Sequence, residues 1–215
     1  MDSISLILAL GNPGSQYERT RHNFGFLLAD ALLAQAAERK SMALKTLRTG
    51  GDFDLYSLVF GGKSCLLAKP LTYMNLSGKA AARILGQHGI DPMEMLVLHD
   101  ELDLPLGRMK LKRGGGANGH KGIDSIVEHV GAIDFLRLRL GIGRPRFSAD
   151  VVRFVLEEFS PDEMRTVDHV RQAALKGLAL LFRRGQAEAV QMLNAFRPPE
   201  GSDTLPKMDT PGAMG

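Results

Sequence analysis

A chain of 215 residues, 44% hydrophobic and 24% charged, has an ordinary globular composition and the length for one large domain. Its single cysteine, Cys65, excludes a disulfide scaffold and points to a reducing compartment. No run of about 18 apolar residues exists to span a membrane, so a cytoplasmic protein without a membrane partner is expected.

The elements are read in chain order. Ser5 to Leu10 is a short apolar run ending in the turn signal Gly11-Asn12-Pro13-Gly14, which predicts a buried strand entering a loop. The acidic start and the brevity of this run do not read as a signal peptide. Helical spacing of Phe24, Leu27, Leu28, Ala31 and Leu32 predicts a helix over 23–39. Phe53–Phe60 and Ser64–Ala68, separated by Gly61-Gly62-Lys63, predict a β-hairpin, with Cys65 buried in its second strand. A helix is expected from Ser77 to His88, stopped by Gly89-Ile90-Asp91-Pro92. Met95 to Leu98 predicts a third buried strand ending at His99-Asp100, and Gly107 to Leu111 an edge strand.

The glycine-rich stretch Gly114 to Gly122 leads into a helix ending near Val130. Leu136, Leu138 and Leu140 alternate with Arg137 and Arg139, which predicts a strand with one basic face. Val151 to Leu156 is a short mixed segment. Ser160-Pro161-Asp162-Glu163 carries a capping box and opens a helix expected to run to Arg184 and stop at Gly185. A last helix covers 187–194, and from Arg197 the composition predicts a disordered tail. There are no internal repeats and no internal linker, so residues 1–196 are expected to form one domain. The expected fold is α/β, a three-layer arrangement with a twisted mixed sheet flanked by helices.

The net charge of +3 is unevenly spread. Between Pro105 and Phe147 stand nine Lys or Arg against Asp124, Glu128 and Asp134, giving +6 and leaving −3 for the rest. That suggests one face for a polyanion, against the plainer alternative of a solvated basic surface.

Ligand sites of α/β sheets form beyond the carboxyl ends of strands, where these loops converge. His22 precedes a helix, whose dipole would lower its pKa and keep it able to accept a proton; capping or a surface role is the alternative. Asp100 closes an apolar strand, where a carboxylate needs a partner, and a histidine would be one; a turn cap is the alternative. Gly-x-Ser-x-Gly is absent, so a His–Asp pair would activate water directly. Asn12 and Asn75 could donate amide hydrogen bonds to a carbonyl. The six histidines show no metal-ligand spacing, and neither a metal nor a cofactor is expected. The glycine loop lacks a Gly-Lys-Ser/Thr ending and does not follow the first strand, which argues against nucleotide or dinucleotide binding.

Gly11-Asn12-Pro13-Gly14 with Tyr17, Thr20, Arg21, His22 and Asn23, then Lys69 to Gly78, then His99 to Pro105, the glycine loop, and Arg137 to Gly143 resemble in order the signatures of bacterial peptidyl-tRNA hydrolases. The resemblance spans 4–196. It implies hydrolysis of the ester between a peptide and the 3′-terminal ribose of tRNA, by a monomer. His22 would take a proton from water, Asp100 would stabilise the accepting form, and Asn12 would contact the substrate near the ester. Tyr17, Tyr73 and Asn75 would line the site for the tRNA end and peptide, and Lys112 and Arg139 would grip a 5′-phosphate region. Two departures stand out: Lys121 replaces a tRNA-binding asparagine, and Ser148 stands where a lysine is usual, with Arg144 or Arg146 nearby. A non-catalytic RNA-splicing partner on the same fold is the rival reading.

Overall fold

The computed structural model describes residues 3–199 and runs through β1 (Leu6–Ala9), α1 (Phe24–Glu38), β2 (Lys45–Arg48), β3 (Phe53–Phe60), β4 (Lys63–Pro70), α2 (Ser77–His88), β5 (Met95–Glu101), β6 (Met109–Arg113), α3 (Lys121–Val130), β7 (Leu136–Gly141), α4 (Val151–Leu156), α5 (Pro161–Arg184) and α6 (Gln186–Ala195). The strands form one seven-stranded sheet in the order β2-β3-β4-β1-β5-β7-β6. The inner strands β4, β1, β5 and β7 are parallel, and both edges are antiparallel. Inner strands buried on both faces explain the near-continuous apolar runs of β1 and β5.

Successive side chains of a strand point to opposite faces, so β1 and β5 feed two cores. Ile7, Leu96 and Leu98 join one with α1, α5 and α6, whereas Leu6, Leu8, Met95 and Val97 join another with α2 and α3. The result is a three-layer α/β fold.

The hairpin, the capping box of α5 and the span of α2 follow the sequence expectation. The hairpin turn is tighter than read. Gly61 and Gly62 alone make it, with φ of 57° and 86°, the positive pair a two-residue turn between twisted strands demands. β4 also continues through Lys69 to Pro70, because its tail still pairs with Phe53 and Asp54 of β3. β2 has no counterpart in the sequence reading, since Lys45-Thr46-Leu47-Arg48 is an exposed edge with no buried alternation to betray it. Arg197 turns back onto the carbonyls of Asn194, Ala195 and Phe196, and the expected tail from residue 200 onward lies outside the described residues.

Candidate active site

The carboxyl ends of β1 and β5 lie side by side, and α1 starts directly above them. Gly25 permits this: a Cβ there would stand 2.5 Å from the carbonyl oxygens of both Leu10 and Leu98. The short turn Arg21–Asn23 before α1 is thereby set over the strand ends. Arg21 anchors it, donating to both Glu163 carboxylate oxygens at 2.9 Å and to the Glu158 carbonyl at 2.7 Å while lying over the Phe154 ring at 4.6 Å. The bidentate pair, the carbonyl bond and the ring contact together fix the guanidinium in place.

His22 consequently meets Asp100. Its Nδ1 lies 2.9 Å and 3.0 Å from the two carboxylate oxygens. A carboxylate only accepts, so Nδ1 carries the proton and Nε2 keeps the lone pair. Asp100 is 2% exposed. Burial works to raise its pKa, yet the flanking His22 and His120 overcome it and hold the carboxyl far below the usual range. The sequence expectation for His22 is reversed here. Burial and Lys121 do push its pKa down, but the charge and hydrogen bond of Asp100 outweigh them and leave it above the ordinary 6.5. A carboxylate in contact prevails over a helix-end partial charge.

Asn12 is fixed on three sides. Its backbone N–H donates to Asn23 Oδ1 at 2.8 Å, its carbonyl accepts from Asn23 Nδ2 at 2.9 Å, and its Oδ1 accepts the Met74 N–H at 2.8 Å. With Oδ1 committed, the Nδ2 amide remains to donate toward a substrate. A cavity of about 350 Å³ opens over these groups, also lined by Tyr73, Asn75 and Lys121, and walled on one side by Val151, Val152, Val155 and Leu156 of α4. Tyr73, 60% exposed, stands at its rim.

The sequence-predicted residues thus divide. Asn12, His22, Asp100, Tyr73, Asn75 and Lys121 share the cavity, whereas Tyr17, Lys112 and Arg139 do not line it. Tyr17 sits in the turn Ser15–Tyr17, where its carbonyl accepts the Thr20 hydroxyl. Lys112 is on β6 and Arg139 on β7, at the far edge of the sheet. The pairing Lys110↔Arg139 and Lys112↔Arg137 puts four cations on one face. That face is less open than the alternation suggested: Arg139 Nε donates to Glu101 Oε2 at 2.6 Å, and Arg137 donates to the Gly116 carbonyl. Of the arginines near Ser148, Arg144 binds Asp103 and Arg146 lies over Phe147 at 5.4 Å.

Sequence reasoning missed two supports. Asn23, quoted only as part of a motif, clamps the Asn12 backbone. His120, which lies within the glycine-rich stretch, brings Nε2 to 2.9 Å from Asp100 Oδ1. Neither has a local signature, because each acts on a strand end distant in sequence. Ligand atoms of His22, Asp100 and His120 lie within 4.8 Å of one another, as a metal would need. The protonation argues otherwise: His120 Nδ1 accepts the Gly122 and Ile123 N–H groups, so both ring nitrogens facing Asp100 carry hydrogens rather than lone pairs.

Residues 6–201 match the family model described as peptidyl-tRNA hydrolase. The chain belongs to the peptidyl-tRNA hydrolase family. It is 54% identical over 198 residues to a peptidyl-tRNA hydrolase of Maridesulfovibrio salexigens, covering 92% of this chain and 97% of that protein. It is 41% identical over 196 residues to one of Aquifex aeolicus, covering 89% and 96%. The crystal structure of peptidyl-tRNA hydrolase from Acinetobacter baumannii superposes with a TM-score of 0.84 at 35% identity, covering 93% of this chain and 98% of that one. Family and fold therefore agree over the whole sheet.

Proposed function

We propose that this chain hydrolyses the ester between a peptide, or an N-blocked amino acid, and the 3′-terminal ribose of tRNA. The observation that carries the reading is the His22–Asp100 pair at the floor of an open cavity, with Asn12 beside it. Water attacks the ester carbonyl carbon while His22 Nε2 takes its proton. Asp100 holds the accepting tautomer and stabilises the imidazolium. The Asn12 amide donates to the developing oxyanion. The C–O bond to the ribose then breaks, and the imidazolium returns the proton to the 3′ oxygen, leaving a free tRNA hydroxyl and a peptide carboxylate.

The apolar wall of α4 suits the peptide side, and Tyr73, Asn75 and Lys121 suit the 3′ end. Lys112 and Arg139, with the exposed Lys110 beside them, offer a cationic edge for acceptor-stem phosphates, which supply affinity without sequence preference, while Arg137 is buried against the Gly116 carbonyl. Residues 1–196 act in this reading as one catalytic domain, monomeric and cytoplasmic, and the lone buried Cys65 suits a reducing compartment. Among the described residues no helix is long and apolar enough to cross a membrane. The rival splicing-partner reading has no support in a site whose His–Asp pair is intact. The test is release of the blocked amino acid from N-acetyl-aminoacyl-tRNA, with plain aminoacyl-tRNA as control. Absence of turnover on the blocked substrate refutes the proposal.

A further inference from the structure

Asp100 is held by two imidazoles, and the second has no part in the reaction as just derived. The His120 ring is tied at both nitrogens. Nδ1 accepts from the N–H groups of Gly122 at 3.2 Å and Ile123 at 3.4 Å, which caps α3. The lone pair is therefore on Nδ1 and the proton on Nε2, and that proton has Asp100 Oδ1 as its acceptor at 2.9 Å. His99 closes the assembly from behind. Its ring meets His120 edge-on, centroids 5.0 Å apart at 79°, and its Nδ1 bonds the Asp100 carbonyl at 2.7 Å. Burial holds the His99 pKa well below its ordinary value, so it adds no charge to the group.

We propose that His120 is a positioning residue for the hydrolysis, donating Nε2–H to Asp100 Oδ1 so that the carboxylate is locked toward His22 and shares its charge. Both Asp100 oxygens are within reach of His22 Nδ1, so the bond to His22 alone would permit more than one carboxylate orientation. The third bond selects one. It also takes part of the negative charge that would otherwise act on His22, as a donor bonded to a carboxylate does. Without it, Asp100 pulls harder on the His22 proton, and the proton-accepting form of His22 is reached only at higher pH.

Few groups compete with this effect. From β5, Asp100 and Glu101 face the cavity holding His22, and from the start of α3, His120 and Lys121 do. α4 presents valines and a leucine there, with Arg153 and Glu157 paired to each other at 3.1 Å. Arg21 is bound to Glu163 of α5.

The kinetic half of the inference rests on the hydrolase reading; the titration half does not. His120→Asn keeps an oxygen able to cap α3 but is too short to reach Asp100, and His120→Ala removes both contacts. The His22 ring is titrated by NMR in the free protein, and kcat and KM on N-acetyl-aminoacyl-tRNA are followed against pH. In His120→Asn the His22 midpoint is expected to rise by about one unit, with the acid limb of kcat/KM following it. At neutral pH kcat is expected to fall about tenfold, with KM within about twofold. An unmoved or lowered His22 midpoint in His120→Asn overturns the proposal. So does a loss of kcat confined to His120→Ala, which would make His120 a helix cap alone. An inactive wild type with the midpoint still shifted by His120→Asn overturns the reaction and upholds the clamp.

Discussion

Asp100→Asn isolates the charge that organises this site. The carboxylate is buried and accepts from His22 on one side and His120 on the other. Both imidazoles bond the same oxygen, Oδ1; asparagine can keep both bonds only with its carbonyl oxygen there, and in the flipped orientation it turns an NH2 toward two N–H donors. If its NH2 meets His22, the ring must move its proton to Nε2, and the base is lost. Tautomer loss of this kind costs on the order of 10²–10⁴ in kcat. The charge has a separate effect. Two unit charges about 4 Å apart at an effective dielectric constant of about 20 interact by about 4 kcal/mol, equal to about three pKa units. Asp100 is what lifts His22 above 6.5 against burial and Lys121, so removing its charge leaves only influences that lower the His22 pKa. The acid limb of kcat/KM, which in the wild type is expected above pH 6.5, should therefore move to lower pH by as much as about three units. Release of N-acetylamino acid is measured from pH 4 to 9 with the tRNA concentration varied. An unchanged kcat at every pH, or an acid limb displaced upward, refutes the His–Asp couple as the proton acceptor.

His22→Ala is expected to lower kcat by about 10²–10⁴ while binding of uncleaved tRNA, measured by filter retention, stays near wild type. Lys112→Ala should raise KM with kcat unchanged and reduce the slope of log K against log salt by about one, whereas lowered kcat on a substrate lacking the acceptor stem would place Lys112 in the catalytic site. Arg139→Ala should lose affinity and stability together, because it strands Glu101, whose side chain is 8% exposed, and the structure thus separates two residues the sequence treated alike; an unchanged Tm would show that the pair is not holding the sheet edge. Gly78→Ala should cost about 3 kcal/mol or more by chemical denaturation, since a Cβ there would lie 1.8 Å from the Ser125 carbonyl oxygen and force α2 off α3.

Local chemistry was strong enough for the sequence alone to determine most of the elements. Ser160-Pro161-Asp162-Glu163 forms a capping box within four residues, and the paired glycines of the hairpin satisfy a turn within two; such signals need no distant partner. The same holds for the alternation of β7 and the apolar runs of β1 and β5, because burial on one face or both writes directly into residue order. Motif order also marked His22, Asp100 and Asn12 as the residues expected to carry the chemistry. Tertiary structure decided what surrounds each of them. The pKa of His22 turned on a carboxylate 78 positions away, which the dipole argument from its own helix could not include. Asn23 and His120 acquired roles only when the ends of β1 and β5 were brought together, and Arg139 became half of a nearly buried ion pair only when β7 was laid beside β5. β2 was invisible for the opposite reason: an exposed edge strand owes its existence to a neighbour's unpaired backbone, and backbone hydrogen bonding leaves no mark in the identity of side chains.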